Sequence, residues 1–251
     1  MITKRLRIFA GPNGAGKSSL YSYLLLQNYF HQYFYINADE IAQTIISGYS
    51  VQNWPIEISR KEFFTFLMKS SFIHYIDAEN IKKYLIIEDN TFIWTGDKEN
   101  LTYICAAIAD YLRQKMLKAD SSFACETVFS HPSKLQFLRE ARKKGFKIYL
   151  YYVSTKNPEI NIERVENRIQ SGGHSVPEEK IKSRYVKTMN NLFDAVVLSD
   201  KAFLFDNSES DENLSYLHFA TYEKAKQRIS LTKTTYPGWF KEYFLDKITK
   251  K

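Results

Sequence analysis

The sequence predicts an α/β fold, with helices flanking a central parallel sheet and a mostly helical insertion, and three observations carry that expectation. Short apolar runs of strand length alternate with helix-spaced patterns along most of the 251 residues, as parallel strands joined through helices require. The first run, Leu6-Arg7-Ile8-Phe9-Ala10, passes straight into a glycine-rich loop and then a helix. Later runs end in Asn37-Ala38-Asp39 and in Glu126-Thr127. Those polar groups stand where an open α/β sheet binds ligands, outside the carboxyl ends of its strands.

The glycine-rich loop organises the rest. Gly11-Pro12-Asn13-Gly14-Ala15-Gly16-Lys17-Ser18 spells Gly-x-x-x-x-Gly-Lys-Ser, and Ser19-Leu20-Tyr21-Ser22-Tyr23-Leu24-Leu25-Leu26 reads as the first turns of a helix. Glycine lets the backbone take positive φ and come close to a ligand, so successive N–H groups and the helix N-terminus converge on phosphate oxygens. Lys17 supplies a mobile cation for the β and γ phosphates of ATP, and the Ser18 hydroxyl is the expected Mg²⁺ ligand. Residues Gly11 to Ser19 together are the expected nucleotide site. Residue frequencies produce the bare pattern by accident in roughly one chain of this length per hundred, and the flanking strand and helix make accident rarer.

After the first helix, residues 32–37 read as a second strand and Ala38-Asp39-Glu40-Ile41-Ala42 opens a helix. Asp39 is thereby placed to meet an acceptor hydroxyl; its plainer role is a helix N-terminal acid facing the dipole. Residues 48–100 read as an inserted helical subdomain. It has helix-like runs at 58–75 and 78–87, breaks at Asn53-Trp54-Pro55 and Asp89-Asn90, and a short strand at Thr91-Phe92-Ile93-Trp94. Tyr84-Leu85-Ile86-Ile87-Glu88-Asp89 has the look of a Walker B strand, but it lacks strand boundaries and reads as a helix C-terminus.

A long helix pattern at 100–118 leads to Ser122-Phe123-Ala124-Cys125-Glu126-Thr127, a buried strand that stops at a carboxylate and a hydroxyl. His131-Pro132 starts a helix whose last turn, Arg142-Lys143-Lys144, complements its dipole. Residues 147–153 are the clearest strand. Beyond it, a helix at 161–169 sets Arg164 and Arg168 on one face. Ser171-Gly172-Gly173-His174 breaks the chain, and Val176-Pro177-Glu178-Glu179 restarts a helix with Arg184 one turn deeper. Residues 158–185 therefore read as a lid, able to swing and bearing positive charge toward a transferring phosphoryl group. Residues 202–208 are the last core strand and turn, 217–222 an edge strand, and Tyr236-Pro237-Gly238-Trp239-Phe240 packing.

Composition bounds the partners. A net charge of +7 suits nucleic acid, and equally a site holding several phosphates; the basic residues are scattered, so nucleic acid is not the expected partner. A hydrophobic content of 44% supports a sizeable core, as one α/β domain with an insertion or as two small domains, and a single domain spanning 1–251 is the expectation. Most of the 18 Phe and 18 Tyr fall within helix and strand patterns, where packing uses them. Two cysteines cannot staple a secreted scaffold, the N-terminus reads as strand and loop instead of a signal peptide, and no apolar run reaches membrane-spanning length. A cytoplasmic protein with no membrane partner is expected.

Several patterns follow one another along most of 5–47 and 100–208: Gly-Pro-Asn-Gly-Ala-Gly-Lys-Ser (11–18), Asn-Ala-Asp-Glu-Ile-Ala (37–42), Phe-Ala-Cys-Glu-Thr (123–127), Arg-Val-Glu-Asn-Arg-Ile (164–169), Gly-Gly-His-Ser-Val-Pro (172–177) with Arg184-Tyr185, and Asp206-Asn207-Ser208. Jointly they resemble the zeta toxin-like kinases in their short form, the toxin half of some bacterial toxin–antitoxin modules. The resemblance implies a P-loop kinase fold and transfer of the ATP γ-phosphoryl group, with Mg²⁺, to a hydroxyl. In the best-known members the acceptor is a UDP-linked amino sugar of peptidoglycan synthesis, and the partner to expect is a small helical antitoxin. The resemblance makes Asp39 the catalytic base, puts Glu126 and Thr127 on the substrate side, and draws the charge-stabilising arginines from Arg164, Arg168 and Arg184. An ABC-type ATPase is suggested by Ser171-Gly172-Gly173 followed by Val196-Val197-Leu198-Ser199-Asp200, but a Walker B Asp-Glu pair is missing. A nucleic-acid or nucleoside kinase is the rival that the positive charge permits.

Overall fold

The computed structural model describes residues 3–31, 34–98, 101–170, 176–209 and 217–248. In chain order these form β1 (Arg5–Ala10), α1 (Lys17–Leu26), β2 (Phe34–Ile36), α2 (Ala38–Thr44), β3 (Tyr49–Ser50), α3 (Arg60–Lys69), α4 (Ala78–Tyr84), β4 (Leu85–Glu88), β5 (Thr91–Trp94) and α5 (Leu101–Lys118). There follow β6 (Phe123–Thr127), α6 (Ser133–Lys143), β7 (Lys147–Ser154), α7 (Pro158–Gln170), α8 (Glu178–Asn190), α9 (Leu192–Leu198), β8 (Lys201–Asp206), β9 (Leu217–Glu223) and β10 (Arg228–Leu231). Short helical turns complete the chain. Gln32, Tyr33, Asn100 and the expected lid hinge Ser171-Gly172-Gly173-His174 lie outside the described residues.

The chain divides into two compact units, Met1–Gln32 with Glu126–Lys251, and Tyr33–Cys125. In the first, β7 lies between β1 and β8 and runs parallel to both, with Ile8 opposite Leu150 and Tyr152 opposite Leu204. Strands covered on both faces need nearly continuous apolar runs. Accordingly Leu6, Ile8, Phe9, Ala10, Leu150, Tyr152 and Val153 are at most 1% exposed. Alternation sends rings to opposite faces: Phe9, Tyr151 and Phe203 stack across three strands at 4.7 and 5.0 Å. On the other face Tyr152 meets Trp239 at 6.2 Å, and Trp239 meets Phe219 edge-on at 5.4 Å. The helices α1, on β1, and α6 and α9, on β7, cover this sheet. Val196, Val197 and Leu198, the strand an ABC-type ATPase would need, are instead the last turn of α9.

One expectation about the sheet's edge is corrected. Residues 217–222 do form a strand, but β10 pairs antiparallel with β9, so β9 is interior and β10 is the outer strand of this sheet. Arg228-Ile229-Ser230-Leu231 is short and mostly exposed, which leaves it little apolar signal to read.

In the second unit β2 pairs parallel with β6 through Phe34–Phe123, Tyr35–Ala124 and Ile36–Cys125, and α2 packs along α5. Helices hold much of residues 48–100, yet a three-stranded antiparallel sheet, β3-β5-β4, runs through the same segment. Here the sequence reading needs correction: 85–88 is a strand, not a helix C-terminus, and its partner is the antiparallel β5, unlike a Walker B strand. Helix α4 stops at Tyr84, and Leu85 and Ile87 then point inward at strand spacing. Asp89 and Asn90, at φ 45° and 55°, close the hairpin as two left-handed residues, the geometry whose twist matches its strands. The Asn90 side chain accepts from Ile58 N–H at 2.9 Å and donates to the Ile56 carbonyl at 3.2 Å, tying the turn to the loop before α3. Phe63, Phe92 and Tyr111 meet edge to face at 5.8, 5.4 and 6.4 Å and form this unit's aromatic centre.

Candidate active site

The loop between β1 and α1 is shaped by close approach. Gly11 and Gly14 have φ of 151° and 74°. A Cβ on Gly11 would lie 2.0 Å from the Val153 carbonyl oxygen at the end of β7, and one on Gly14 would lie 2.5 Å from the Asn161 carbonyl oxygen in α7. The loop's back is thus pressed against backbone on two sides, which leaves no room for a side chain at either glycine. Gly11→Ala is expected to lower the unfolding free energy by about 2–4 kcal/mol, from overpacking added to backbone strain. Urea denaturation checks this, and an unchanged midpoint would mean that Val153 is not the barrier. Buried polar atoms without a hydrogen-bond partner include Asn13 Oδ1 and Asn161 Nδ2 at this same loop. Such groups cost stability and cluster where function holds them.

The helix α1 begins on Gly16, at φ 92°, with no acidic residue in its first turn, so its N-terminal dipole is left to other anions. Lys17 is 6% exposed. Its Nζ donates to the Pro12 carbonyl at 2.9 Å and lies 3.6 Å from Glu126 Oε1, while Ser18 Oγ donates to Glu126 Oε2 at 2.7 Å. The expected phosphate cation, the expected metal-binding hydroxyl and the Glu126 carboxylate therefore meet at one point. The resemblance puts Glu126 on the substrate side; here its contacts are with Lys17 and Ser18 of the loop.

Thr127, beside Glu126, accepts from Phe129 N–H at 3.3 Å. Phe129 is 1% exposed and has φ 63°, a left-handed conformation that a bulky residue rarely takes. It is held from several sides, with its carbonyl accepting from Asn191 Nδ2 at 2.9 Å and the preceding Val128 carbonyl accepting from Thr188 Oγ1 at 2.7 Å. Nothing in the spelling of 123–129 announces this bend.

The three candidate arginines lie on two packed helices, Arg164 and Arg168 on α7 and Arg184 on α8. Arg164 donates through Nη1 to the Asn207 carbonyl at 2.8 Å and through Nη2 to the Glu209 carbonyl at 3.2 Å. Arg168 is exposed and Arg184 half-buried. One residue after Arg184, the Tyr185 hydroxyl donates to the Thr155 carbonyl at 2.7 Å, and burial pushes its phenol well above the usual range, so it stays a donor. Asn207 itself donates from Nδ2 to the Ala15 carbonyl of the loop at 2.9 Å. It belongs to the Asp206-Asn207-Ser208 pattern, whose spelling does not name its contact with the loop; an amide directly after a core strand is the signal that points to it.

In the other unit, Asp39 sits exposed in the first turn of α2, and its N–H donates to Asn37 Oδ1 at 2.9 Å, the cap that starts the helix. Cys105 on α5 is buried, and burial first, then the Asp39 carboxylate, push its thiol up to about 12. Among the described residues, no group of three or more His, Cys, Asp and Glu is arranged to hold a metal, and no helix is long and apolar enough to cross a membrane.

Comparisons with known proteins agree with this architecture. The family model described as Zeta toxin matches residues 96–208. An uncharacterized protein of Haemophilus influenzae is 35% identical over 69 residues, which is 28% of this chain and 49% of that protein. The chain's match thus spans about half the length of that curated relative. Among solved structures, the native AvrRxo1-ORF1:-ORF2 complex superposes with a TM-score of 0.56 at 13% identity, over 92% of this chain and 62% of that one. The same complex with ATP gives 0.56 at 12% identity, over 92% and 61%. At such identity the likeness concerns the fold. Residues 96–208 are thus similar to the Zeta toxin family, and the chain as a whole has an α/β fold in which a strand, a glycine-rich loop and a helix follow one another over 5–26.

Proposed function

We propose that this chain is an ATP-dependent kinase that transfers the γ-phosphoryl group to a hydroxyl of a small-molecule acceptor, and that it acts as the toxin of a toxin–antitoxin pair. The observation that carries the reading is the convergence of Lys17, Ser18 and Glu126 at the mouth of the glycine loop. An ammonium, a hydroxyl and a carboxylate at the start of a helix suit an oligophosphate with its divalent cation. Mg²⁺ takes oxygen donors and keeps several ligands from phosphate and water, so Ser18 Oγ, with Glu126 beside it, is a fitting protein share. When bound, it would neutralise charge on the β and γ phosphates.

The chain's own residues do the rest. Loop N–H groups and Lys17 hold the phosphates, and Asp39 accepts the proton of the acceptor hydroxyl as its oxygen bonds to Pγ and the bond to the β–γ bridging oxygen breaks. ADP leaves. Arginines from 158–185 meet the charge of the transferring group, drawn from Arg164, Arg168 and Arg184, and Thr127 faces the acceptor. Residues 48–100 select the acceptor, and a UDP-linked amino sugar is the first to test. Positioning of this kind can supply roughly 7–11 kcal/mol of barrier reduction. The antitoxin would be a small helical protein.

The test is incubation with γ-labelled ATP and a panel of UDP-sugars, nucleosides and oligonucleotides, with Asp39→Asn as control. Label on a UDP-sugar, lost in the control, supports the proposal. Label on an oligonucleotide would favour the reading that the +7 charge permits. Release of phosphate with no labelled acceptor would sink the kinase reading.

A further inference from the structure

We infer that Asn207 is a positioning residue for the phosphate loop, and that Arg164 acts through it. This rests on the reading of 11–19 as a nucleotide site. In a trans peptide the carbonyl and the following N–H point in opposite directions. Asn207 Nδ2 holds the Ala15 carbonyl at 2.9 Å, on the side toward β8. The N–H of the next residue, Gly16, is thereby aimed the other way, with the N–H groups that open α1.

The peptide in question is one that could turn over. Gly16 has φ 92°, and a glycine on one side of a peptide makes its rotation cheap. A rotated peptide would present the Ala15 oxygen, a negative dipole end, to the bound phosphates. Holding that oxygen from behind therefore matters only when an anion sits in front.

Asn207 is itself immobilised. Its N–H donates to the Ser154 carbonyl at 2.8 Å, continuing the β7–β8 ladder, and its carbonyl takes Arg164 Nη1 at 2.8 Å. On its flank, Asp206 Oδ1 accepts from Trp239 Nε1 and from Ser208 Oγ, each at 2.8 Å, and Ser208 Oγ accepts from Lys156 N–H at 2.8 Å. The turn after β8 is thus a rigid bracket with one amide extended to the loop. Arg164 joins that bracket to α7, so a movement of α7, which also abuts the loop directly at Asn161, reaches Ala15 through two hydrogen bonds.

The experiment measures competition of ATP, ADP and adenosine against a fluorescent ATP analogue for wild type, Asn207→Leu, Asn207→Asp and Arg164→Gln, with melting temperatures alongside. Asn207→Leu keeps the branched outline and removes the donor; Asn207→Asp keeps the shape and replaces the donor by an acceptor. Both are expected to weaken ATP and ADP about tenfold, the size of one well-placed hydrogen bond, and adenosine less than twofold. Arg164→Gln moves the same ratio in the same direction by less. Parallel weakening of ADP and adenosine in every variant would overturn the inference, since loss of the bracket's fold or of a base contact has that signature. Should Asn207→Leu fail to fold, the Asn207→Asp ratio decides. A wild-type protein that binds ADP no better than adenosine is the distinct result that removes the nucleotide reading itself.

Discussion

Replacing Lys17 with alanine is expected to lower phosphoryl transfer by about a thousandfold or more while leaving the fold intact. Its side chain is 6% exposed, and its ammonium stands 2.9 Å from the Pro12 carbonyl and 3.6 Å from Glu126. The cation is therefore set before any nucleotide arrives, in a place where water screens it little. Alanine removes the charge and also takes the cation away from Glu126, whose carboxylate then faces the incoming phosphates. ATP affinity and turnover should both fall. Adding Glu126→Gln to Lys17→Ala separates the two effects: affinity should partly return, because a like charge is gone, and turnover should not. A double variant as active as wild type, measured with labelled ATP and the identified acceptor, would remove Lys17 from the chemistry.

Asp39→Asn is expected to leave ATP binding within about twofold and to slow single-turnover transfer by about 10²–10⁴-fold, the usual contribution of a general base. The substitution is nearly isosteric, and the cap from Asn37 to the Asp39 N–H uses backbone on this side, so α2 keeps its start. Loss of the acid costs the helix about 0.3–1 kcal/mol in its dipole interaction, which a melting curve detects independently of activity. If Asp39 is no more than a helix-terminal acid, that small loss is the whole effect and transfer proceeds at the wild-type rate. Rapid-quench measurement distinguishes the two outcomes.

Much of the fold was legible because its signals are local. Leu6 to Ala10 and residues 147–153 announce buried strands by continuous apolar character, and the loop announces itself by the glycines that Val153 and Asn161 leave no room to replace. Residues 85–88 were less legible. Leu85-Ile86-Ile87 is too short for periodicity to separate strand from helix end, and what decides is pairing with Thr91–Trp94 across a turn of two left-handed residues. The outer strand β10 fails for a similar reason, since its exposed residues carry no pattern until β9 is beside it. At the site, residue types were readable and their partners were not. That Glu126 would meet Lys17 and Ser18, 109 and 108 positions away, or that Asn207 would meet Ala15, depends on which strands share a sheet end. No local rule carries that information.

The buried thiol of Cys105 has a practical consequence. Pushed up to about 12 by burial and by the Asp39 carboxylate, it is overwhelmingly protonated at neutral pH, and the protonated form does not alkylate. It lies on α5, along which α2 packs. A maleimide or iodoacetamide can therefore react there only in the moments when that packing opens, and the labelling rate of Cys105, read by peptide mass spectrometry beside that of Cys125, becomes an intrinsic clock for local opening around the helix that carries Asp39. No residue has to be introduced to time it.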